Sequence, residues 1–235
     1  MFKRVLRKAL NKIKSDPPPF RKSYSQSGED LIVKYIFDVL GVKTPGYMDI
    51  GAHHPYYLSN TALFYETGSR GINIEPDPFL IQSFNRHRKE DTNLNIGISD
   101  KRSVLDFFII NDPVLNTFSK EEAENYHKEG DYHIVEQKKI EVDTIKSVLA
   151  KYRNGRFPEF LSIDAEGVDE IVLKSLDYTD NIPVVICVET ISFSNTGKGE
   201  KNQALIDFVR SKGYILYADT YINTIFVRKE SWEKQ

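Results

Sequence analysis

Two short segments carry the acidic and small residues on which a chemical reading of this chain rests. They are DIGAHHP (Asp49–Pro55), where an apolar strand ends in Asp-x-Gly, and INIEPDP (Ile72–Pro78), where an apolar strand about twenty residues later ends in Glu75. After the first, Gly51 and Ala52 are small enough to let backbone N–H groups approach a ligand before the chain turns toward a helix. At the end of the second, Glu75 can accept hydrogen bonds from both hydroxyls of a ribose. A nucleoside-containing ligand is therefore expected. A dinucleotide would need a Gly-x-Gly-x-x-Gly turn to hold its pyrophosphate, and this chain has only Gly51 there. S-adenosylmethionine, which has no pyrophosphate, suits these residues better.

Further ionisable residues stand where a reaction could use them. Asp164 and Glu166 follow the apolar run Phe160–Ile163, Glu189 closes another, and His53 and His54 follow the first. Methyl transfer to a hydroxyl needs a base to take the proton as the new bond forms, or a metal to acidify the hydroxyl. Histidine suits the base role because its ordinary pKa of about 6.5 lies near working pH. Asp164, Glu166 and Glu189 could instead hold Mg²⁺, although some of these acids are equally placed to cap the helix that follows. No Asn/Asp-Pro-Pro-Tyr/Phe sequence follows Ile163, so DAEG favours oxygen over an exocyclic nitrogen as the acceptor atom. His127 and His133 fall in a polar stretch and read as solvated residues; Tyr126 and Tyr132 beside them could stack on a sugar ring. Cys187 lies inside an apolar run and reads as an inert core thiol.

The elements that must position these residues alternate from Tyr47 onward. The pattern predicts strands at 47–50, 71–75, about 93–98, 160–163 and 184–189, with helices at about 59–67, 78–89, 143–153, 168–176 and 201–211. Two further strand-like segments, Val104–Ile110 and Lys138–Val142, flank the polar stretch Asn111–Gln137, which holds a short helix at 119–129. A stretch this long between core elements is expected to act as a lid or a substrate-binding insertion, the alternative being a mobile surface excursion. Gly213–Ala218 and Asn223–Arg228 read as a closing hairpin. A parallel sheet that ends in an antiparallel hairpin, with helices on both faces, is the seven-stranded, Rossmann-like layout of class I methyltransferases. Before Tyr47, Ser27 is expected to cap a helix ending at Gly41, with Asp30 three residues on. Gln26 and Asp30 at that N-terminus are candidates to meet the methionyl carboxylate of the cofactor, or else plain capping chemistry.

Residues 1–19 form a separate unit in this reading, and 20–235 the main domain. Phe2, Val5, Leu6, Ala9, Leu10 and Ile13 fall at helical spacing, and Pro17–Pro19 stop the helix. Residues 1–22 hold eight basic side chains against the single Asp16, while the whole chain carries a net charge of −2, so the remainder is acidic. Residues 1–14 can therefore contact an anionic membrane surface or pack on protein. The acidic remainder argues against tracking a nucleic-acid backbone. At 40% hydrophobic and 12% aromatic content the chain can bury one sizeable core. No apolar run reaches the roughly 18 to 20 residues of a membrane span. With no secretory-type leader and a single cysteine, a cytoplasmic setting is expected, peripheral at the inner face of the membrane if the basic helix binds there.

Taken together the motifs resemble the FkbM-type methyltransferases over residues 24–228. The matching segments are SQSGED (25–30), YMDIGAHHP (47–55), LSNT (58–61), GINIEPDP (71–78), NIGISD (95–100), NTFS (116–119), EVDTI (141–145), FLSIDAEGVDEIVLKSLD (160–177), VVICVET (184–190) and GYILYADTYINTIFVR at the end. The resemblance implies cofactor contacts by Asp49, Gly51 and Ala52 near the methionyl part, Glu75 on the ribose, and the Ile98 N–H and Asp100 carboxylate near the adenine. It implies O-methyl transfer to a sugar of a surface glycan or glycolipid. Ser162, where many family members have lysine, and the His-His-Pro of the first turn set this chain apart from macrolide-modifying relatives. Two other readings stay open: a binding module of this fold without turnover, and a nicotinamide-dependent oxidoreductase.

Overall fold

Strands buried on both faces need no polar alternation, and the runs YMDI, GINI and FLSI have none. In the computed structural model each is a fully buried parallel strand. The structure describes residues 21–165, 167–179, 181–193 and 199–234. In chain order the elements are α1 (Glu29–Val39), β1 (Tyr47–Ile50), α2 (Ala62–Glu66), β2 (Gly71–Ile74), α3 (Leu80–His87), β3 (Thr92–Leu94), β4 (Gly97–Ile98), β5 (Ser103–Ile110), α4 (Lys120–Glu129), β6 (Ile134–Asp143), α5 (Ile145–Tyr152), β7 (Phe160–Ile163), α6 (Asp169–Lys174), β8 (Val185–Glu189), α7 (Gln203–Ser211), β9 (Tyr214–Asp219), β10 (Asn223–Arg228) and α8 (Lys229–Glu233), with a 3₁₀ turn at Pro113–Leu115. The basic segment 1–14 lies outside the described residues.

The main sheet has seven strands in the order β3-β2-β1-β7-β8-β10-β9, with β10 antiparallel to both its neighbours. This is the class I methyltransferase topology. The chain runs outward from β1 to β3 and then returns to place β7 on the other side of β1. That return creates a switch point between β1 and β7, where a crevice opens beyond the strand ends. Register brings the key positions level: Asp49 pairs with Asn73 and Ser162, and Ile50 with Ile74 and Ile163. Alternate strand residues feed two cores. Met48, Ile50, Leu161 and Ile163 pack on the side of α5, α6 and α7, while Tyr47, Phe160 and Cys187 meet Val33, Ile36 and Phe37 of α1 and Phe64 of α2. Cys187 is fully buried, and burial pushes its thiol up, as an inert core cysteine requires. Among the described residues no helix is long and apolar enough to cross a membrane.

Three local expectations need correction. Ser27 does not cap α1. Gly28 does, at φ 90°, a left-handed conformation that glycine enters without steric cost. The first-turn acids reach backward instead: Glu29 accepts from the Ser27 N–H at 2.8 Å, and Asp30 from the Tyr24 N–H at 2.8 Å and the Ser23 hydroxyl at 2.7 Å. The expected strand at about 93–98 is two strands in different sheets. Asn95 turns the chain between them, its side-chain amide donating to the carbonyls of Glu75 at 2.9 Å and Pro76 at 2.8 Å. The strand expected at Lys138–Val142 begins earlier, at Ile134, and pairs antiparallel with β5, while β4 adds in parallel to make a three-stranded sheet. The polar stretch is thus a folded subdomain.

Candidate active site

A cleft opens over the carboxyl ends of β1, β2 and β7, with an empty volume of about 980 Å³ counted out to its mouth. Its floor is Asp49, Ile50, Gly51, Ala52, Ile74, Glu75, Ser162 and Asp164. Gly51 is dictated by geometry. Its φ is +74°, and a Cβ there would lie 1.8 Å from the carbonyl oxygen of Asp164. The expected approach of Gly51 and Ala52 N–H groups to a ligand is corrected, because both donate to the Ile74 carbonyl, at 3.0 and 3.1 Å. They tie the first turn to β2, and what they leave open is space.

Glu75 sits at the meeting of two turns. Its Oε1 accepts from the Asp77 N–H at 2.7 Å and its Oε2 from the His53 N–H at 2.8 Å. Burial pushes its carboxyl up to about 7, against the pull of those two N–H groups. Asp49 accepts from the Thr61 hydroxyl at 2.6 Å. Burial raises its pKa too, with the Thr61 hydroxyl, Arg88 and the Ser162 hydroxyl acting the other way. Asp164 is pushed up to about 7, first by burial and then by the charges of Asp169 and Asp49. His53 lines the cleft with a left-handed backbone at φ 53°; burial and the neighbouring His54 lower its pKa, so at neutral pH it is an uncharged imidazole.

The folded insertion closes one side. Pro113, Val114, Asn116 and Phe118 line the cleft together with Phe107 of β5 and Ile98 of β4. Asn116 pins this wall to the floor, donating to Asp77 Oδ2 at 2.9 Å while its own carbonyl accepts from the Ile110 N–H. The rings of Phe107 and Phe118 lie 4.8 Å apart, and a Cβ at Gly97 would strike Phe118 at 2.5 Å. Ile74, Ile98, Phe107 and Phe118 thereby offer an apolar slot for a flat base beside Glu75.

Other expected site residues lie elsewhere. His54 does not line the cleft; its Nδ1 accepts the N–H groups of Tyr56 and Tyr57, at 3.1 and 3.0 Å. Asp100 is exposed on the turn after β4. Asp30 is spent on bracing residues 23–25, and of its segment Gln26 alone reaches the cleft. Glu189 lines a neighbouring pocket with Glu122, Asp169 and Lys201. Glu166 lies outside the described residues. Tyr126 is buried against Phe193 and presents no face to a sugar, whereas His127 and His133 are exposed as expected.

Residue types at strand ends were readable in the sequence, but Asn60, Thr61, Leu58 and Arg88 were not, because their partners are remote in the chain. Asn60 donates to the Ser162 hydroxyl at 3.2 Å across the floor, and Leu58 enters the cleft with φ 53°. The motif LSNT was the available signal.

The model of the FkbM methyltransferase domain matches residues 49–216, most of the chain and all of the cleft floor. The chain belongs to the FkbM methyltransferase family. No curated protein sequence matches it. Among solved structures it is similar to a TehB-like SAM-dependent methyltransferase from Corynebacterium glutamicum, at 10% identity over 97% of each chain with a TM-score of 0.41. It is also similar to a proposed RNA methyltransferase from Pyrococcus horikoshii, at 11% identity over 91% of this chain and 90% of the other with a TM-score of 0.41. A third is a proposed caffeoyl-CoA O-methyltransferase from Staphylococcus aureus, at 13% identity over 96% of this chain and 91% of the other with a TM-score of 0.39.

Family and fold imply S-adenosylmethionine as the cofactor of this FkbM methyltransferase, and its cleft fits that ligand. Glu75 offers acceptors at the end of β2, the phenylalanine slot suits the adenine, and the missing Cβ at Gly51 leaves room where β1 and β7 meet. Among the described residues no three of His, Cys, Asp and Glu come together to hold a metal.

Proposed function

We propose that this FkbM methyltransferase moves a methyl group from S-adenosylmethionine to a hydroxyl of a sugar, in a glycan or glycolipid. The observation that carries the reading is the place of Asp164 in the lining of the cofactor cleft, where burial and the nearby charges of Asp169 and Asp49 hold its carboxyl well above the usual carboxylate range. A base is most effective when its pKa lies near the working pH. The bound cofactor supplies an electrophilic methyl on a sulfonium. Methyl transfer to an acceptor oxygen would leave the cofactor as its neutral thioether and release the hydroxyl proton, which Asp164 would take. Neutral His53, which lines the same cleft, is the second acceptor for that proton. Asp49 and Glu75 hold the cofactor, with Gln26 and Ile98 on its flanks. Asp100, Asp30 and Glu189 are not among the residues lining the cleft, and the reading assigns them no role in it.

A sugar acceptor is supported by the family resemblance and by residues 1–14, whose sequence of basic residues with apolar ones at helical spacing suits contact with an anionic inner membrane surface where glycolipids are built. The test is transfer of labelled methyl from S-adenosylmethionine to separated fractions of glycan, glycolipid, nucleic acid and protein. Label in a glycan or glycolipid that resists mild base as an ether supports the reading. Label confined to nucleic acid or protein would overturn it.

A further inference from the structure

Arg88 ends α3 with no exposed surface at all, an expensive place for a guanidinium unless each donor is used. Its Nε donates to Asp91 Oδ2 at 3.0 Å. Nη1 and Nη2 both donate to Thr61 Oγ1, at 3.0 and 3.1 Å, and Nη2 also donates to Tyr47 Oη at 2.7 Å. Arginine has no acceptor, so both hydroxyls must receive its bonds, and each keeps its one hydrogen to give. Tyr47 gives its hydrogen to Asp91 Oδ2 at 2.6 Å, and Thr61 gives its hydrogen to Asp49 Oδ2 at 2.6 Å.

The two branches differ in consequence. Through Tyr47 the guanidinium closes a ring on Asp91, which braces the start of β1 and β2 by also accepting from the Gly71 N–H at 2.8 Å. Through Thr61 it reaches Asp49, in the cofactor cleft. Thr61 stands at the N-cap of α2, where a threonine hydroxyl ordinarily accepts from the helix's first N–H groups. Here it makes no cap bond; the Ser59 hydroxyl accepts from the Ala62 N–H instead, at 3.1 Å. The hydroxyl of Thr61 is thus diverted from the helix to the carboxylate.

We propose that Arg88 and Thr61 form a hydrogen-bond relay, guanidinium to hydroxyl to Asp49, that positions the Asp49 carboxylate for the methyl donor. Both are positioning residues. The proposal rests on the cofactor reading above. Arg88 supplies direction: by occupying the lone pairs of Thr61 it forces the hydroxyl to act as donor toward Asp49, and it brings positive charge within one hydroxyl of a buried carboxylate.

Calorimetry with S-adenosylhomocysteine on the full chain tests this with Thr61→Val, Thr61→Ser, Asp49→Asn and the double Thr61→Val/Asp49→Asn. Binding by the unaltered chain tests the cofactor reading, and the ratios among variants test the relay. Thr61→Val should weaken binding about tenfold. Thr61→Ser, which keeps the donor, should bind within about twofold of the unaltered chain. In the Asp49→Asn background Thr61→Val should cost clearly less than in the parent, because the carboxylate it serves is gone and only a neutral amide oxygen remains to accept. Unchanged affinity in Thr61→Val, equal weakness in Thr61→Ser, or losses that simply multiply in the double variant would each overturn the relay.

Discussion

The backbone N–H of His53 donates to Glu75 Oε2 at 2.8 Å, so the end of β2 is tied to the turn after β1. The same carboxylate accepts from the Asp77 N–H, and with both bonds made it stands fixed at the cleft floor. Preorganisation of this kind spares a ligand the cost of ordering its partner. Replacing Glu75 by alanine should weaken S-adenosylhomocysteine binding by about 1–3 kcal/mol, the range for a lost hydrogen bond to a charged group. Calorimetry reads the effect, and an unchanged affinity would remove Glu75 from the site.

Acid should loosen the cofactor. Burial holds the Glu75 carboxyl at about 7, well above the ordinary glutamate value near 4.3, so in the empty cleft it is largely protonated on the acid side of neutrality. A ribose that donates hydrogen bonds favours the ionised form. Affinity should therefore rise with pH up to about 7 and fall by as much as tenfold per unit below it, with a proton released on binding near pH 6. Calorimetry in buffers of different ionisation enthalpy measures that proton directly. Stability of the empty protein runs the other way. A carboxyl raised from about 4.3 to about 7 stabilises the fold below pH 4, and that contribution is lost as pH climbs through 7. Glu75→Gln should flatten this loss in thermal melts between pH 5 and 8.

The alternation of strands and helices was legible because parallel strands buried on both faces leave an unmistakable record: YMDI and FLSI end where the sequence puts them. The acids at strand ends were legible for the same reason. The sequence did not reveal the break at Asn95, where a side chain satisfies carbonyls of a turn twenty residues earlier in the chain. Nor could periodicity show that Arg88, in a basic run after an amphipathic helix, points inward, since its partners Thr61 and Tyr47 belong to other elements. Long-range pairing of this kind leaves no local pattern to read.

Gly51 tolerates no side chain. A Cβ would collide with the Asp164 carbonyl at 1.8 Å, and φ of +74° adds strain for any other residue. The atom struck is backbone of the neighbouring strand end, so relief requires β1 and β7 to separate. Gly51→Ala should cost about 3 kcal/mol or more and abolish cofactor binding. Urea denaturation checks the first claim, and a variant as stable as the parent would refute it.

His54 serves the turn. Its Nδ1 accepts two backbone N–H groups, from Tyr56 and Tyr57, and can do so only while unprotonated. His54→Ala should destabilise the protein by about 1–2 kcal/mol, and His54→Asn, whose carbonyl can accept the same N–H groups, should recover much of it. Chemical denaturation of the three proteins decides. Cofactor affinity that collapses in His54→Asn while stability is retained would return His54 to the active site.

Arg88 and Asp91 are both fully buried, and removing one partner strands the other. Arg88→Met keeps much of the apolar volume, between the rings of Tyr47, Tyr65 and Phe84, but leaves a carboxylate without its cation. The expected loss is about 3–5 kcal/mol, read as a fall of roughly 10 °C in the thermal midpoint for a chain of this size. Arg88→Lys should rescue little, since a single ammonium cannot reach Asp91, Tyr47 and Thr61 as the planar fork does. Arg88→Met combined with Asp91→Asn should be less destabilised than Arg88→Met alone, because the stranded charge is gone. If the double variant were instead the weaker by the full sum, the pair would be two independent packing residues, and the buried charge would have no part in holding the start of β1 to the start of β2 and to Thr61.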